Sequence, residues 1–390
     1  LLTFLCHNSQ LIRTLEDLGI DWTIQMYRNT TLTKPDVPPF VLMDIDEQTY
    51  RQWGELLPTP RDKLRDLIQF AVAGQPKLVI IDVDLTYPTD RYNTQLTPAD
   101  ATLKDYLATY ESQHCTNQPC PHLILVSTSR PTLDAQGHFL PTRELRPSFL
   151  GVTESPHVHW ASAVFEPDAD LMIRRWRLCD KVSHPTHKEE KPILSIQLLT
   201  AKLSDTTELE CPEETAHAAI GQRIIYKLLP NTAMPKPEKY PDTQSGQPIL
   251  TTWSAHRLLQ HPNGDKSFLT DRIVVIGGSY LDSGDWYATP IGAMPGAVII
   301  INAILSLQQY GELHKPNILL ILLTEIILIV IMSLAFACFT SFYGMLFSGL
   351  LIILVMMPIS FGLFQAGVWL DFAIPLLAVQ LHRMAAVLHQ

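Results

Sequence analysis

FVLMDID (residues 40–46) and KLVIIDVDL (77–85) are apolar runs that each turn acidic before they end, and PTPRDKLRDLIQFAVAG (58–74) lies between them. Carboxylates are costly to take out of water without a partner. The two endings must therefore share a cation, an arginine or a water-filled edge. The intervening stretch predicts a helix. Pro60 suits its first turn, Leu64, Leu67, Ile68, Ala71 and Val72 recur on one face, and Gly74 with Pro76 ends it. Strand, helix and strand with short joins form a βαβ unit, so the acidic strands are expected to run parallel and side by side. The fold class that follows is an α/β domain with a mainly parallel central sheet.

Side chains alternate along a strand, which puts Asp44 with Asp46 on one face and Asp82 with Asp84 on one face. The carboxyl ends of parallel strands are where open α/β sheets place ligands. Four carboxylates there repel one another unless something positive is near. Arg61, opening the intervening helix, is one candidate partner. A divalent cation such as calcium or magnesium is the other, since hard cations take several carboxylate oxygens. No other cofactor is expected.

Farther along, HLILVST (122–128), LMIRRWRLC (171–179), QRIIYKLL (222–229) and DRIVVIGGSY (271–280) read as strands. PILSIQLLTAKL (192–203) and AVIIINAILSLQQ (297–309) read as helices. KVSHPTHKEEKP (181–192) and AMPKPEKYPDTQSGQP (233–248) read as polar, proline-rich loops. Tyr280 to Thr289 reads as a loop whose Ser279, Asp282, Asp285 and Thr289 form a second candidate site. IGGS (276–279) follows a strand and can cradle phosphate on backbone amides, but it lacks the spacing of a dinucleotide fingerprint.

The net charge of -10 over 390 residues argues against a nucleic-acid partner. Charge is also unevenly spread: between Asn317 and Gln390 the charged residues are Glu325, Asp371 and Arg383. Three segments there approach the ~20 apolar residues a bilayer requires, at about 317–340, 343–364 and 367–386. Gly344, Ser348 and Gly349 would let the helices approach closely, and Pro358 and Pro375 would kink them. Glu325 sits inside the first of these segments, where an ionisable group is costly and marks a packing or signal-transmitting contact; Asp371 reads as interfacial. Residues 1–35 read as a membrane-proximal helix with Leu11, Leu15, Leu18, Trp22 and Met26 on its apolar face. They continue either a first transmembrane helix or the remnant of a signal peptide. The organisation is then 1–35, a soluble domain over 36–312, and a three-helix transmembrane bundle over 313–390.

Cys115 with Cys120 and Cys179 with Cys211 are candidate disulfides, which favours an oxidising compartment; reduced loop thiols are the alternative. His157 and His159 share a face if extended and offer a zinc pair with a carboxylate, against the plainer reading of a histidine-containing loop. The residues present carry no nucleophile or hydrolase signature, so no enzyme is expected among them. A metal-dependent hydrolase on the acidic edge stays open as a third reading.

VLMDID, PTPR, VIIDVDL, DADLMIRR and IVVIGGSYLDSGDWYATPIGAMPG, in that order and ahead of three apolar segments, resemble the CHASE2 family from about Leu11 onward. The last motif, with Asp285, Thr289, Pro290, Pro295 and Gly296, is the most specific. The resemblance implies an extracytoplasmic sensory domain followed by three transmembrane helices in the bacterial inner membrane, with the soluble part in the periplasm. In that family the output is a cytoplasmic histidine kinase, serine/threonine kinase, or adenylate or diguanylate cyclase, and dimers are usual. The residues up to Gln390 hold no such output domain. Two readings remain: a receptor signalling to an output outside these residues, and a structural or docking subunit of an envelope complex. Expected partners are lipid, a second copy, and an unknown small ligand or envelope protein.

Overall fold

The parallel sheet is assembled from strands distant in the chain. The computed structural model describes residues 10–27, 38–92, 95–116, 119–151, 155–184, 187–211, 222–229, 248–312, 318–339 and 341–351, with isolated positions up to 363. In order these form α1 (Gln10–Tyr27), β1 (Phe40–Ile45), α2 (Glu47–Gln52), α3 (Arg61–Ala73), β2 (Leu78–Ile81), α4 (Pro98–Ala108) and α5 (Tyr110–His114). Next come β3 (His122–Ser127), β4 (Ser129–Leu133), β5 (Phe139–Leu145), β6 (Val158–Ser162), β7 (Cys179–His184), β8 (His187–Leu194) and α6 (Ile196–Leu203). They are followed by β9 (Leu250–Ser254), α7 (Ala255–Gln260), β10 (Ile273–Gly278), β11 (Trp286–Thr289), β12 (Gly292–Pro295) and α8 (Gly296–Tyr310). The last are α9 (Ile318–Cys338) and α10 (Ser341–Leu351). The chain divides into two compact units: Arg28–Gln309, and Leu1–Tyr27 with Tyr310–Gln390.

In the larger unit a six-stranded sheet has the order β6-β3-β2-β10-β1-β9, with every neighbouring pair parallel. The mainly parallel α/β class therefore holds, but the expected pairing of β1 with β2 does not. β10 lies between them, pairing Met43 with Ile276 on one side and Ile81 with Ile276 on the other. IVVIGG is apolar along its length and buried on both faces, which suits the middle of a parallel sheet better than its edge. On α3, Leu64, Leu67, Ile68, Ala71 and Val72 are buried in the core with β1, β2 and β10. β2 ends at Ile81, so Asp82 and Asp84 belong to the loop that follows it.

Three other expectations are corrected. KVSHPTHKEEKP is no loop: its residues enter the antiparallel β7–β8 hairpin of a second sheet ordered β4-β5-β7-β8. Lys181 is half-exposed and Glu190 and Lys191 are exposed there. LMIRRWRLC forms only isolated bridges, Met172 with Ala288 and Arg175 with Arg223. QRIIYKLL is no ladder strand either, because its backbone is claimed by side chains of α8. Ile225 N donates to Ser306 Oγ at 3.0 Å, Lys227 N and Leu228 N each donate to Asn302 Oδ1 at 2.9 Å, and Asn302 Nδ2 donates to Leu228 O at 2.9 Å. The loop expected at 233–248 lies almost wholly outside the described residues.

In the smaller unit, α1 is helical over Gln10–Tyr27. Leu18, Trp22 and Met26 are about half exposed, whereas Ile20, Asp21, Thr23 and Ile24 are buried. The polar members of the buried stripe are tolerated because Thr23 donates its hydroxyl to Gly19 O at 2.8 Å. The Leu11 and Leu15 side chains lie outside the described set. α9 and α10 form a helical hairpin whose buried positions include the small residues Ala335 and Gly344. Among the described residues no helix is long and apolar enough to cross a membrane. Several α9 side chains, that of Glu325 among them, fall outside that set. Of the expected spans, 343–364 is described as helix only to Leu351, and 367–386, with Asp371, not at all.

Asn302 is fully buried and satisfies two backbone donors at once. Asn302→Ala is expected to lower unfolding stability by about 2–4 kcal/mol, from the cost of orphaned buried amides. Urea denaturation of the purified chain checks this.

Candidate functional site

Polar groups gather at the carboxyl end of β1, β10 and β2. Asp44 pairs across with Gly277, and Asp82 N donates to Ile276 O at 2.8 Å, which brings Asp82 alongside Gly277 from the other side. Neighbours in register on parallel strands point to the same face, so Asp44 and Asp82 flank a residue without a side chain. That gap is filled by α8. A Cβ at position 277 would lie 2.6 Å from Ala297 Cβ and 3.4 Å from the Asp82 carboxylate. A Cβ at Gly278 would lie 2.9 Å from the Tyr280 ring. The IGG pair is therefore occupied by the protein's own side chains, which leaves no cradle for phosphate.

Asp285 completes the arrangement from the loop before β11. Gly296, the first residue of α8, donates its N–H to Asp285 O at 3.0 Å, and any Cβ at position 296 would collide with the Asp285 carboxylate. Burial pushes Asp285 above the usual carboxylate range, against hydrogen bonds from Tyr287 and from Gly296 N that pull it down. Asp82 is pushed up well above its ordinary value by burial and then by the charge of Asp285. Its Oδ2 is buried without a hydrogen-bond partner. The two carboxyl groups thus resist ionising together. Asp44 is 8% exposed and is raised to about 7, first by burial and then by Asp46, while the Ser279 hydroxyl at 2.8 Å opposes the shift. Its Oδ1 has no partner.

The remaining expected members go elsewhere. Asp46 is the N-cap of α2, accepting from Thr49 N at 2.7 Å. Asp84 accepts from Thr86 N at 2.8 Å and Thr128 Oγ1 at 3.2 Å. Arg61 is buried and donates to the backbone oxygens of Asp84 and Tyr87 at 3.0 and 3.1 Å, not to the strand-end carboxylates. Its charge is met by Asp100 at 3.9 Å, a residue the sequence reading missed. TPAD (97–100) was the available signal, since Thr97 and Asp100 form a capping box at the start of α4. In the loop, Ser279 joins Asp44 and Asp285 joins Asp82, but Asp282 accepts from Tyr50 and Thr289 closes the β11–β12 turn onto Gly292 O. In DADLMIRR, the Arg174 guanidinium grips Asp170 through two 2.7 Å hydrogen bonds and also reaches Asp168 at 3.1 Å. Among the described residues the four strand-end carboxylates form no three-donor group; Cys115, Cys120 and His157 do. Both cysteine pairs, Cys115–Cys120 and Cys179–Cys211, are joined as disulfides.

An open parallel sheet thus carries a buried carboxyl cluster and an occupied glycine pair at the carboxyl ends of its central strands. The chain belongs to the CHASE2 domain family, a family of sensory domains, whose model matches residues 1–338. Comparisons with curated proteins and with solved structures return no match.

Two predictions follow from the carboxyl row. Gly277→Ala is expected to cost about 1–3 kcal/mol, because the added methyl overlaps Ala297 in a packed layer; thermal unfolding measures it. Asp44 has a folded pKa raised to about 7 from an ordinary value of 3.8. Its contribution is complete below pH 3.8 and is lost as pH rises through about 7. Asp44→Asn should therefore gain stability relative to the native protein between pH 5 and 8, by on the order of 1–3 kcal/mol. A difference that is flat with pH would contradict this.

Proposed function

We propose that this chain is the membrane-anchored sensory part of an extracytoplasmic CHASE2 receptor. A change of charge at the Asp82–Asp285 pair is passed along α8 towards the apolar C-terminal helices, and from there to a cytoplasmic kinase or nucleotide cyclase. The observation that carries this reading is the seat of α8. Its first residue stands on the Asp285 carboxylate, its second fills the gap at Gly277, and its chain runs on through Tyr310 to α9.

Anchoring is supported by α9 and α1. The α9 backbone runs 21 residues. Leu323, Ile326, Ile327, Val330 and Leu334 on it are about half exposed or more, an arrangement that suits lipid and not water. The outward Trp22 of α1 fits the same surroundings, since tryptophan favours the membrane interface. An extracytoplasmic, periplasmic placement is supported by the two disulfides, which persist in oxidising compartments. Lipid and a second copy of the chain are the partners this reading calls for.

A stimulus acting at the strand ends must alter charge there, which selects a proton or a small cation over an anion. Burying a second ion beside a carboxylate is expensive, so removing or pairing the proton displaces what rests on it. Such a stimulus shifts the helix only by favouring one of two arrangements over the other.

The test uses the full chain in lipid nanodiscs. Hydrogen exchange of residues 296–299, corrected for the intrinsic pH dependence of exchange, should change several-fold between pH 5 and 8 in the native protein. Asp285→Asn, which cannot carry the second charge, should show a flat profile. A chain that stays dispersed without detergent or lipid, or equal profiles for the two proteins, removes the proposal.

A further inference from the structure

Three imidazoles and a disulfide meet at the amino-terminal edge of the parallel sheet, the end opposite the carboxyl row. His122 opens β3, and His157 and His159 lie at the start of β6. The register pairs Leu123 with Val158 and Ile124 with His159, which places the three histidines on one face. The His122 and His157 rings stack with centroids 5.0 Å apart, and His122 Nδ1 lies 3.2 Å from His159 Nε2. α5 contributes Glu111, whose Oε1 accepts from His157 N at 2.8 Å and lies 3.4 Å from His157 Nδ1. The segment after α5 closes Cys115 onto Cys120. The two sulfurs and a ring nitrogen of His157 all lie within 4.8 Å of one another, and the three residues are half-buried.

We propose that reduction of the Cys115–Cys120 bond opens a zinc site, with both thiolates and His157 as ligands and water in the fourth position. The donor set is the one zinc prefers, sulfur and imidazole nitrogen. Around a tetrahedral zinc with bonds of about 2.0–2.3 Å, ligand atoms stand about 3.3–3.8 Å apart. Two sulfurs joined in a disulfide are much closer than that, so the oxidised pair cannot supply both ligands. Opening the bond lets them part to that spacing with His157 already adjacent. Glu111 orients the His157 ring from behind, as a carboxylate does in many zinc–histidine sites.

The chemistry balances with a dithiol reductant. It delivers two electrons and two protons and leaves as a disulfide, while the Cys115–Cys120 bond breaks to give two thiols. Zinc then displaces both thiol protons to solvent as two Zn–S bonds form, and it accepts the lone pair of one His157 nitrogen.

The experiment uses the full chain in detergent, either oxidised or reduced by a phosphine. Zinc affinity is read by competition with a chromophoric chelator, and cobalt(II) serves as a spectroscopic probe. Reduced native protein should bind one zinc at least roughly 100-fold more tightly than oxidised protein, and its cobalt form should show thiolate charge transfer. Cys120→Ser and His157→Ala should each lose that gain, and Glu111→Gln should weaken binding by roughly 10-fold. Unfolding curves of the variants separate a lost site from a lost fold. If Cys120→Ser fails to fold, the His157→Ala comparison and the cobalt spectrum of native protein still decide. Equal affinity in both redox states, full affinity in folded His157→Ala, or a cobalt spectrum without sulfur ligation each overturns the proposal, leaving adventitious binding only.

Discussion

The contact between Gly277 and Ala297 sets the rest of the arrangement. Only a residue without a side chain lets α8 descend onto the sheet at this point, and only there does the helix come between Asp44 and Asp82. Gly296 repeats the device one residue earlier in the helix, where the Asp285 carboxylate occupies the space of a side chain. Two glycines thus bring a helix and a pair of carboxyl groups into a volume that solvated ions would not share. The perturbed protonation of Asp82 and Asp285 is the electrostatic consequence of that packing.

The same helix is held by a second, independent set of contacts. Asn302 and Ser306 hydrogen-bond the backbone at Ile225, Lys227 and Leu228, and Asn302 also returns a hydrogen bond to Val298 O. A long helix fixed at its start by carboxyl groups and along its side by backbone clamps behaves as a rigid element.

Arg61 shows how a buried charge is handled away from that cluster. It rests on two backbone carbonyls, an ion pair with Asp100 and the face of Phe149. Asp100 in turn accepts hydrogen bonds from Thr89 and Thr97, and those bonds outweigh burial and keep its carboxyl below the ordinary range. The arginine and its acid join α3, α4 and the loop after β2.

Local features of this fold were legible in the sequence because they depend on neighbours along the chain. The apolar period of α3, the acidic endings at Asp44 and Asp82 and the apolar run of β10 are all of this kind, and so was the resemblance to CHASE2, carried by motif order. What depended on distant partners was not legible. Strand order is one case: β10, some two hundred residues later, separates two strands that adjoin in sequence, because a sheet rewards burial on both faces and not proximity in the chain. The division of the aspartates is another. Identical residues became a helix cap, an exposed turn acceptor and a buried pair of carboxyl groups according to which amide, hydroxyl or carboxyl group packing brought beside them. The sequence determined which segments are apolar and where charges interrupt them; tertiary structure decided which charges meet, since a carboxyl group takes its character from the groups within a few ångströms of it.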